Sequence, residues 1–170
     1  MVNGSGSVPR PNLSRLVGDL AELAKIKDPA ESGATRRVFK PEYVMGREWI
    51  TERMRNAGLD VAIDAGGNLI GRRPGVLPAL VTGSHSDTVS GAGILDGALG
   101  IVGAIEAVRM LDEAGIALSH ELKVVDFLGE EPNEWGISCL GSRVLAGELG
   151  PHLSLIHISE PTRRTPISYA

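Results

Sequence analysis

Residues 79–87 read ALVTGSHSD and residues 122–131 read LKVVDFLGEE. Each is an apolar run of strand length that passes through a glycine into a cluster of ionisable residues. A near-continuous apolar run marks a strand buried on both faces, as in a parallel sheet. Between the two, residues 97–112 are apolar nearly all round (Leu99, Ile101, Val102, Ile105, Val108, Met110 and Leu111), which predicts a buried helix. Strand, helix, strand in this order predicts an α/β domain with a largely parallel sheet. In open sheets of this kind ligands bind beyond the carboxyl ends of the strands. Both ionisable clusters fall there.

Working outward from this unit, Asn12 stands as an N-cap before Leu13, Leu16, Val17, Leu20, Leu23 and Ala24, whose three- and four-residue spacing predicts an amphipathic helix over 12–26. Pro41 opens a second helix and Gly58 follows its end, with an apolar stripe of Val44, Met45, Trp49, Ile50 and Met54. Val61 and Ile63, then Leu69 and Ile70 after Gly66-Gly67-Asn68, predict two short strands joined by a tight turn. A short helix is expected near 140–148. There is no internal repeat.

The chain has 170 residues, 42% of them hydrophobic and 4% aromatic, with a net charge of -4. That length can bury a sizeable core, filled mainly by aliphatic side chains. No long basic run is present, which argues against nucleic acid as a partner; the pair Arg36-Arg37 reads as solvated surface. No apolar run approaches a membrane span and residues 1–11 hold no hydrophobic leader, so a cytoplasmic protein away from membranes is expected. The single cysteine, Cys139, excludes an internal disulfide and a four-thiolate zinc site, and reads as a buried structural thiol.

The last eighteen residues, 153–170, continue neither period. LSLIHISEPTR over 153–163 and ISYA over 167–170 resemble, in frame, the translation of a transposon-based sequencing-library adapter. This segment is expected to be a non-native, adapter-derived tail, and His157 is not counted as a ligand.

The chemistry lies in three places. His85 and Asp87, two apart, point to one side of an extended segment, and a carboxylate there suits the second nitrogen of a metal-bound imidazole. Glu130 and Glu131 are adjacent, so their side chains diverge; one can bind a metal while the other meets water as a general base. Asp96, in Ile94-Leu-Asp-Gly97 at the mouth of the central helix, could bridge two divalent cations. One imidazole with several carboxylates suits zinc, manganese or cobalt. Taken singly, each of these features is more often a solvated loop.

Together, Gly83-Ser-His-Ser-Asp-Thr-Val89, Ile94-Leu-Asp-Gly-Ala-Leu-Gly100, Gly129-Glu-Glu-Pro132 and Gly141-Ser-Arg143 resemble the M20-type hydantoinase/carbamoylase amidohydrolases. That family includes N-carbamoyl-L-amino-acid hydrolases, β-ureidopropionase and allantoate amidohydrolases. The resemblance extends over 12–150, including the Asp28-Pro29 and Gly33-Ala-Thr35 segment and Gly67-Asn68. It implies the N-terminal part of a zinc-peptidase-like catalytic domain, spanning 1–152, with the smaller lid and dimerisation domain absent. It also implies two divalent metal ions, zinc first, with manganese or cobalt as alternatives. His85 would bind one metal, Asp96 bridge, Glu131 bind the other, Glu130 serve as general base, and Asp87 orient His85.

The implied reaction is hydrolysis of the C–N bond of a small N-carbamoyl, ureido or allantoate-like molecule by metal-activated water. A homodimeric parent follows from the same resemblance, and the 170-residue chain alone is expected to be inactive. Two departures stand out. Gly91-Ala-Gly-Ile-Leu-Asp-Gly97 lacks the family's arginine and aromatic residue before the bridging aspartate. The family's two further histidine ligands also lie beyond the residues that match. The alternatives are an M20-type metallopeptidase or N-deacylase, and a non-catalytic α/β binding module. Trp49 reads as a packing residue, Trp135 as a pocket wall, and His120 as a core or surface histidine.

Overall fold

The computed structural model describes residues 8–149; the segment 153–170, with His157, lies outside the described residues. Along the chain run α1 (Leu13–Leu23), α2 (Pro41–Asn56), β1 (Asp60–Ile63), β2 (Leu69–Arg73), β3 (Val76–His85), α3 (Ala98–Glu113), β4 (His120–Phe127) and α4 (Leu140–Leu145). The two helix starts follow the expected chemistry. Asn12 caps α1, its Oδ1 accepting the Arg15 N–H at 3.1 Å, and Pro41 is the first residue of α2.

The four strands form one sheet in the order β1-β2-β4-β3. Its α/β class is as expected, but its strand directions are not largely parallel. Only β3 and β4 run parallel; β1 with β2 and β2 with β4 are antiparallel. The reason is local. The described residues contain a single strand–helix–strand unit, β3-α3-β4, while a short connection such as 64–68 can join only antiparallel neighbours. Asp64 closes that connection, its Oδ1 accepting the N–H groups of Gly66 and Asn68 at 2.8 and 2.9 Å.

A second expectation also fails. The run 79–82 is not a buried strand: β3 lies at the sheet edge, with Leu80 46% and Val81 55% exposed. The buried central strand is β4, whose Leu122 and Val124 join Leu20, Leu23, Ile50, Met54, Leu69, Ile101, Val102, Ile105 and Val108 in one core. In α2 the buried face is Tyr43, Gly46, Ile50 and Met54, whereas Val44 and Met45 face solvent. Trp49 packs against the core as expected, with the Arg53 guanidinium 4.7 Å over its ring.

Helix α3 is not apolar all round. Glu106, 1% exposed, accepts hydrogen bonds from Arg15 Nε at 2.6 Å, Arg15 Nη2 at 2.8 Å and the Asn12 N–H at 2.7 Å. These bonds hold its carboxyl below the usual carboxylate range, the Arg15 bond being the largest cause. The pair fastens α1 to α3 and so fixes the layer behind the sheet.

Candidate metal centre

The carboxyl ends of β3 and β4 lie side by side, with His85 opposite Phe127 in the parallel register. His85 is therefore the last residue of one strand, and the loop after the other carries Glu130 and Glu131. Asp96 reaches the same place from the turn into α3. Gly97 is what allows this approach: at φ +62° it lies so close to His85 that a Cβ would come 2.5 Å from the imidazole Cε1. Any other residue after Asp96 would collide with the ring.

His85 Nε2 stands 3.6 Å from Glu130 Oε2 and 3.9 Å from Asp96 Oδ1. Donor atoms of His85, Glu130 and Glu131 lie within 4.8 Å of one another. Asp96 is near His85 but is not one of that mutually close trio. Glu130 and Glu131 thus turn to the same centre, although adjacency on the chain predicts that they diverge.

Asp87 is 1% exposed and sits between the two loops. Its carboxylate accepts the backbone N–H of Glu130 at 3.2 Å and of Glu131 at 3.1 Å. The partner of His85 Nδ1 is the Asp87 backbone carbonyl at 2.9 Å; the Asp87 carboxylate is 3.9 Å away. One residue therefore holds the imidazole with its carbonyl and the glutamate loop with its side chain. Burial raises the Asp87 pKa, against the lowering effect of those two N–H bonds. The Glu131 pKa is also raised, first by burial and then by the negative charge of Asp96.

Four carboxylates, those of Asp87, Asp96, Glu130 and Glu131, thus surround one imidazole. Among the described residues none of them forms a salt bridge with a lysine or arginine; the ion-pair contacts of Asp87, Asp96 and Glu130 are all with His85. An excess of converging negative charge with oxygen and imidazole donors fits a divalent metal cation. Beside Glu131 a cleft of about 210 Å³ is bordered by Arg37, Val89, Pro132 and Trp135. Trp135, expected as a pocket wall, meets Phe39 edge-on at 5.3 Å.

Two expectations about neighbouring residues change, those for Cys139 and Arg36, while His120 stays outside the trio as expected. Cys139 is half-buried, and its Sγ faces Glu130 Oε1 at 3.6 Å. His120 is half-buried at the start of β4, its Nδ1 3.0 Å from the Pro78 carbonyl and remote from the trio. Arg36 is not solvated surface but 1% exposed. No periodicity marks this residue, because it lies in a loop and is buried by hydrogen bonds.

Comparison with known proteins points the same way as the geometry. The sequence model of peptidase family M28 matches residues 68–158, where the resemblance named the M20 grouping. The chain is 39% identical over 144 residues to a ureidoglycolate hydrolase of Arabidopsis thaliana, covering 83% of this chain and 30% of that protein. It is 38% identical over 140 residues to an N-carbamoyl-L-amino acid amidohydrolase of Geobacillus stearothermophilus, covering 81% and 34%. A hydantoinase/carbamoylase family amidase of Burkholderia ambifaria superposes with a TM-score of 0.82 at 33% identity, covering 88% of this chain and 38% of that one. The chain spans about a third of the length of these relatives.

Proposed function

The chain belongs to peptidase family M28 and is related to the hydantoinase/carbamoylase amidohydrolases; on that premise we propose that it forms part of a metal-dependent hydrolase of carbamoyl or ureido C–N bonds. The observation that carries the proposal is the trio His85, Glu130 and Glu131, with donor atoms within 4.8 Å of one another among uncompensated carboxylates. His85 and Glu131 are assigned as metal ligands, Asp96 as the carboxylate shared by two ions, Glu130 as general base and Asp87 as the residue that positions His85 and the glutamate loop. Zinc is the assigned metal. Bound cations of this type polarise a carbonyl and lower the pKa of water.

The protein's own groups do the rest. Glu130 takes a proton from water as the carbonyl carbon is attacked and returns it to the leaving nitrogen. Asp87 sets the height of Glu130 by holding its backbone N–H. For an N-carbamoyl amino acid, one water is consumed and the products are the amino acid, carbon dioxide and ammonia. The reading includes a catalytic domain over 1–152 with 153–170 as a non-native tail, a cytoplasmic location and a homodimeric parent. No helix among the described residues is long and apolar enough to cross a membrane.

The test is to assay the full-length parent on N-carbamoyl amino acids, ureidoglycolate, allantoate and dipeptides. Turnover of a carbamoyl or ureido compound, lowered roughly 100- to 10,000-fold in Glu130→Gln, is the expected result. The match to the M28 family favours one other reading, a metallopeptidase, which turnover of dipeptides alone would establish. Absence of turnover on every compound would leave a binding module.

A further inference from the structure

The segment Gly33-Ala34-Thr35-Arg36 lies between α1 and α2, yet many of its hydrogen bonds go to residues 86–92. The Ala34 N–H donates to the Ala92 carbonyl at 2.9 Å, and the Gly91 N–H to Thr35 Oγ1 at 3.0 Å. The Arg36 N–H donates to Thr88 Oγ1 at 2.7 Å, the Thr88 N–H returns to the Arg36 carbonyl at 2.9 Å, and Thr88 Oγ1 donates to the Ala34 carbonyl at 3.0 Å. Gly33, at φ +65°, is so close that a Cβ would sit 2.4 Å from the Ala92 oxygen. Ala34 and Thr35 are fully buried, and Thr88 is 2% exposed.

At the end of this strap, the Arg36 guanidinium has only carbonyl partners: Nε donates to Ser86 O at 3.0 Å, and Nη1 to Leu23 O and Ile26 O, each at 3.2 Å. Among the described residues no carboxylate lies in salt-bridge range of it. Burial lowers its pKa. Taking a cation out of water is costly, and filling space alone would be served better by an aliphatic side chain. What the cation does is grip the carbonyl of Ser86, the residue between His85 and Asp87, while Asp126 accepts the Ser86 hydroxyl at 2.8 Å. The next carbonyl along, that of Asp87, is the one His85 Nδ1 meets.

We propose that Arg36 is a positioning residue of the metal site: its guanidinium holds the Ser86 carbonyl and its own carbonyl accepts the Thr88 N–H, fixing the peptides on both sides of Asp87, whose carbonyl orients the His85 imidazole, and the 33–36 strap is the template against which the 86–92 segment is set. This rests on the reading of His85 as a metal ligand.

The test uses the full 170-residue chain, labelled with nitrogen-15 in its histidine rings and titrated with zinc chloride. His85 is identified by the signal lost in His85→Ala. In the wild type its ring nitrogens should shift with zinc. Arg36→Met should weaken that response about 10- to 100-fold, the usual loss when a group supporting a metal ligand is removed, while circular dichroism shows a folded protein. Arg36→Lys has one ammonium where three carbonyls were bridged and should fall between the two. Ile105→Ala, a core change within α3, should lower the melting temperature and leave zinc binding within about twofold, since it lies outside the shell that supports the ligands.

A folded Arg36→Met with wild-type zinc response overturns the proposal. If that variant does not fold, Arg36→Lys decides: wild-type affinity with a single unchanged His85 signal overturns it. If the His85 signal of the wild-type chain ignores zinc, the same titration on the full-length parent decides: a parent whose His85 signal also ignores zinc sinks the metal-site reading, leaving the two failures distinguishable.

Discussion

Along β3 and the loop that follows, hydrophobicity and burial run in opposite directions. Val76, Leu77, Leu80 and Val81 are between 46% and 73% exposed, whereas His85, Ser86, Asp87 and Thr88 are at most 9% exposed. The apolar half lies at the sheet edge, where no strand of the described residues pairs beyond it. The polar half is enclosed by hydrogen bonds with Arg36, Asp126 and the glutamate loop. Burial of polar groups is tolerable only when they are so satisfied. The two halves therefore differ in what holds them: the polar end is fixed by hydrogen bonds, and the apolar end leaves much of its side-chain surface in solvent.

The largest expected effect follows from the polar half. His85→Ala should abolish the specific zinc response of the chain, a loss exceeding the roughly 10- to 100-fold that supporting residues show. Its melting temperature without metal should stay within a few degrees of wild type. Retained zinc binding of unchanged strength, measured by calorimetry, would break the contrast at its functional end. Next in size is Ile105→Ala, in the helix packed on β3 and β4. It should cost about 2–5 kcal/mol in a urea titration, the range for truncating a buried aliphatic chain. A loss under about 1 kcal/mol would mean that the core beneath the strand is not the source of stability.

A subtler effect belongs to Asp126, which is fully buried with Arg47 Nε at 3.3 Å and the Ser86 hydroxyl at 2.8 Å. Burial raises its pKa to about 6 in the folded state, with Arg47 opposing the shift. A carboxyl with a raised folded pKa binds protons more readily when folded, so its favourable contribution is full below the unfolded value. It is lost as pH rises through about 6. Between about pH 7.5 and 5, metal-free wild type should gain roughly 1–3 kcal/mol more stability than Asp126→Asn does. Parallel stability curves for the two proteins over that range would refute the assignment.

Much of this is legible in the chain. Asn12 and Pro41 fix two helix starts, Gly66-Gly67-Asn68 marks the turn at 64–68, and His85, Glu130 and Glu131 stand at strand ends where a site is expected. Strand position is not legible in the same way, because apolar content does not distinguish a central strand such as β4 from one that lies at an edge, such as β3. Arg36 and Glu106 are hidden for a different reason. Their burial depends on partners 50 and 91 residues away, Ser86 and Arg15, and no local period encodes such pairings. The same holds for the division of labour in Asp87, where spacing suggests a carboxylate for His85 and the backbone carbonyl supplies the contact.

The smallest effect tests the apolar half. Val81→Thr keeps the β-branched shape that strands favour and removes only exposed apolar surface, so it should change stability by less than about 0.5 kcal/mol. The measurement should be repeated at several protein concentrations, because an unpaired edge carrying Leu80 and Val81 is a template for pairing with another strand. If the wild type melts higher at higher concentration and Val81→Thr does not, the edge is covered by a second chain in solution. Its apolar residues would then be buried in the assembly, as the polar ones beyond them are within the chain. If neither protein responds to concentration, the edge is free, and the opposition between hydrophobicity and burial along this segment holds for the isolated chain.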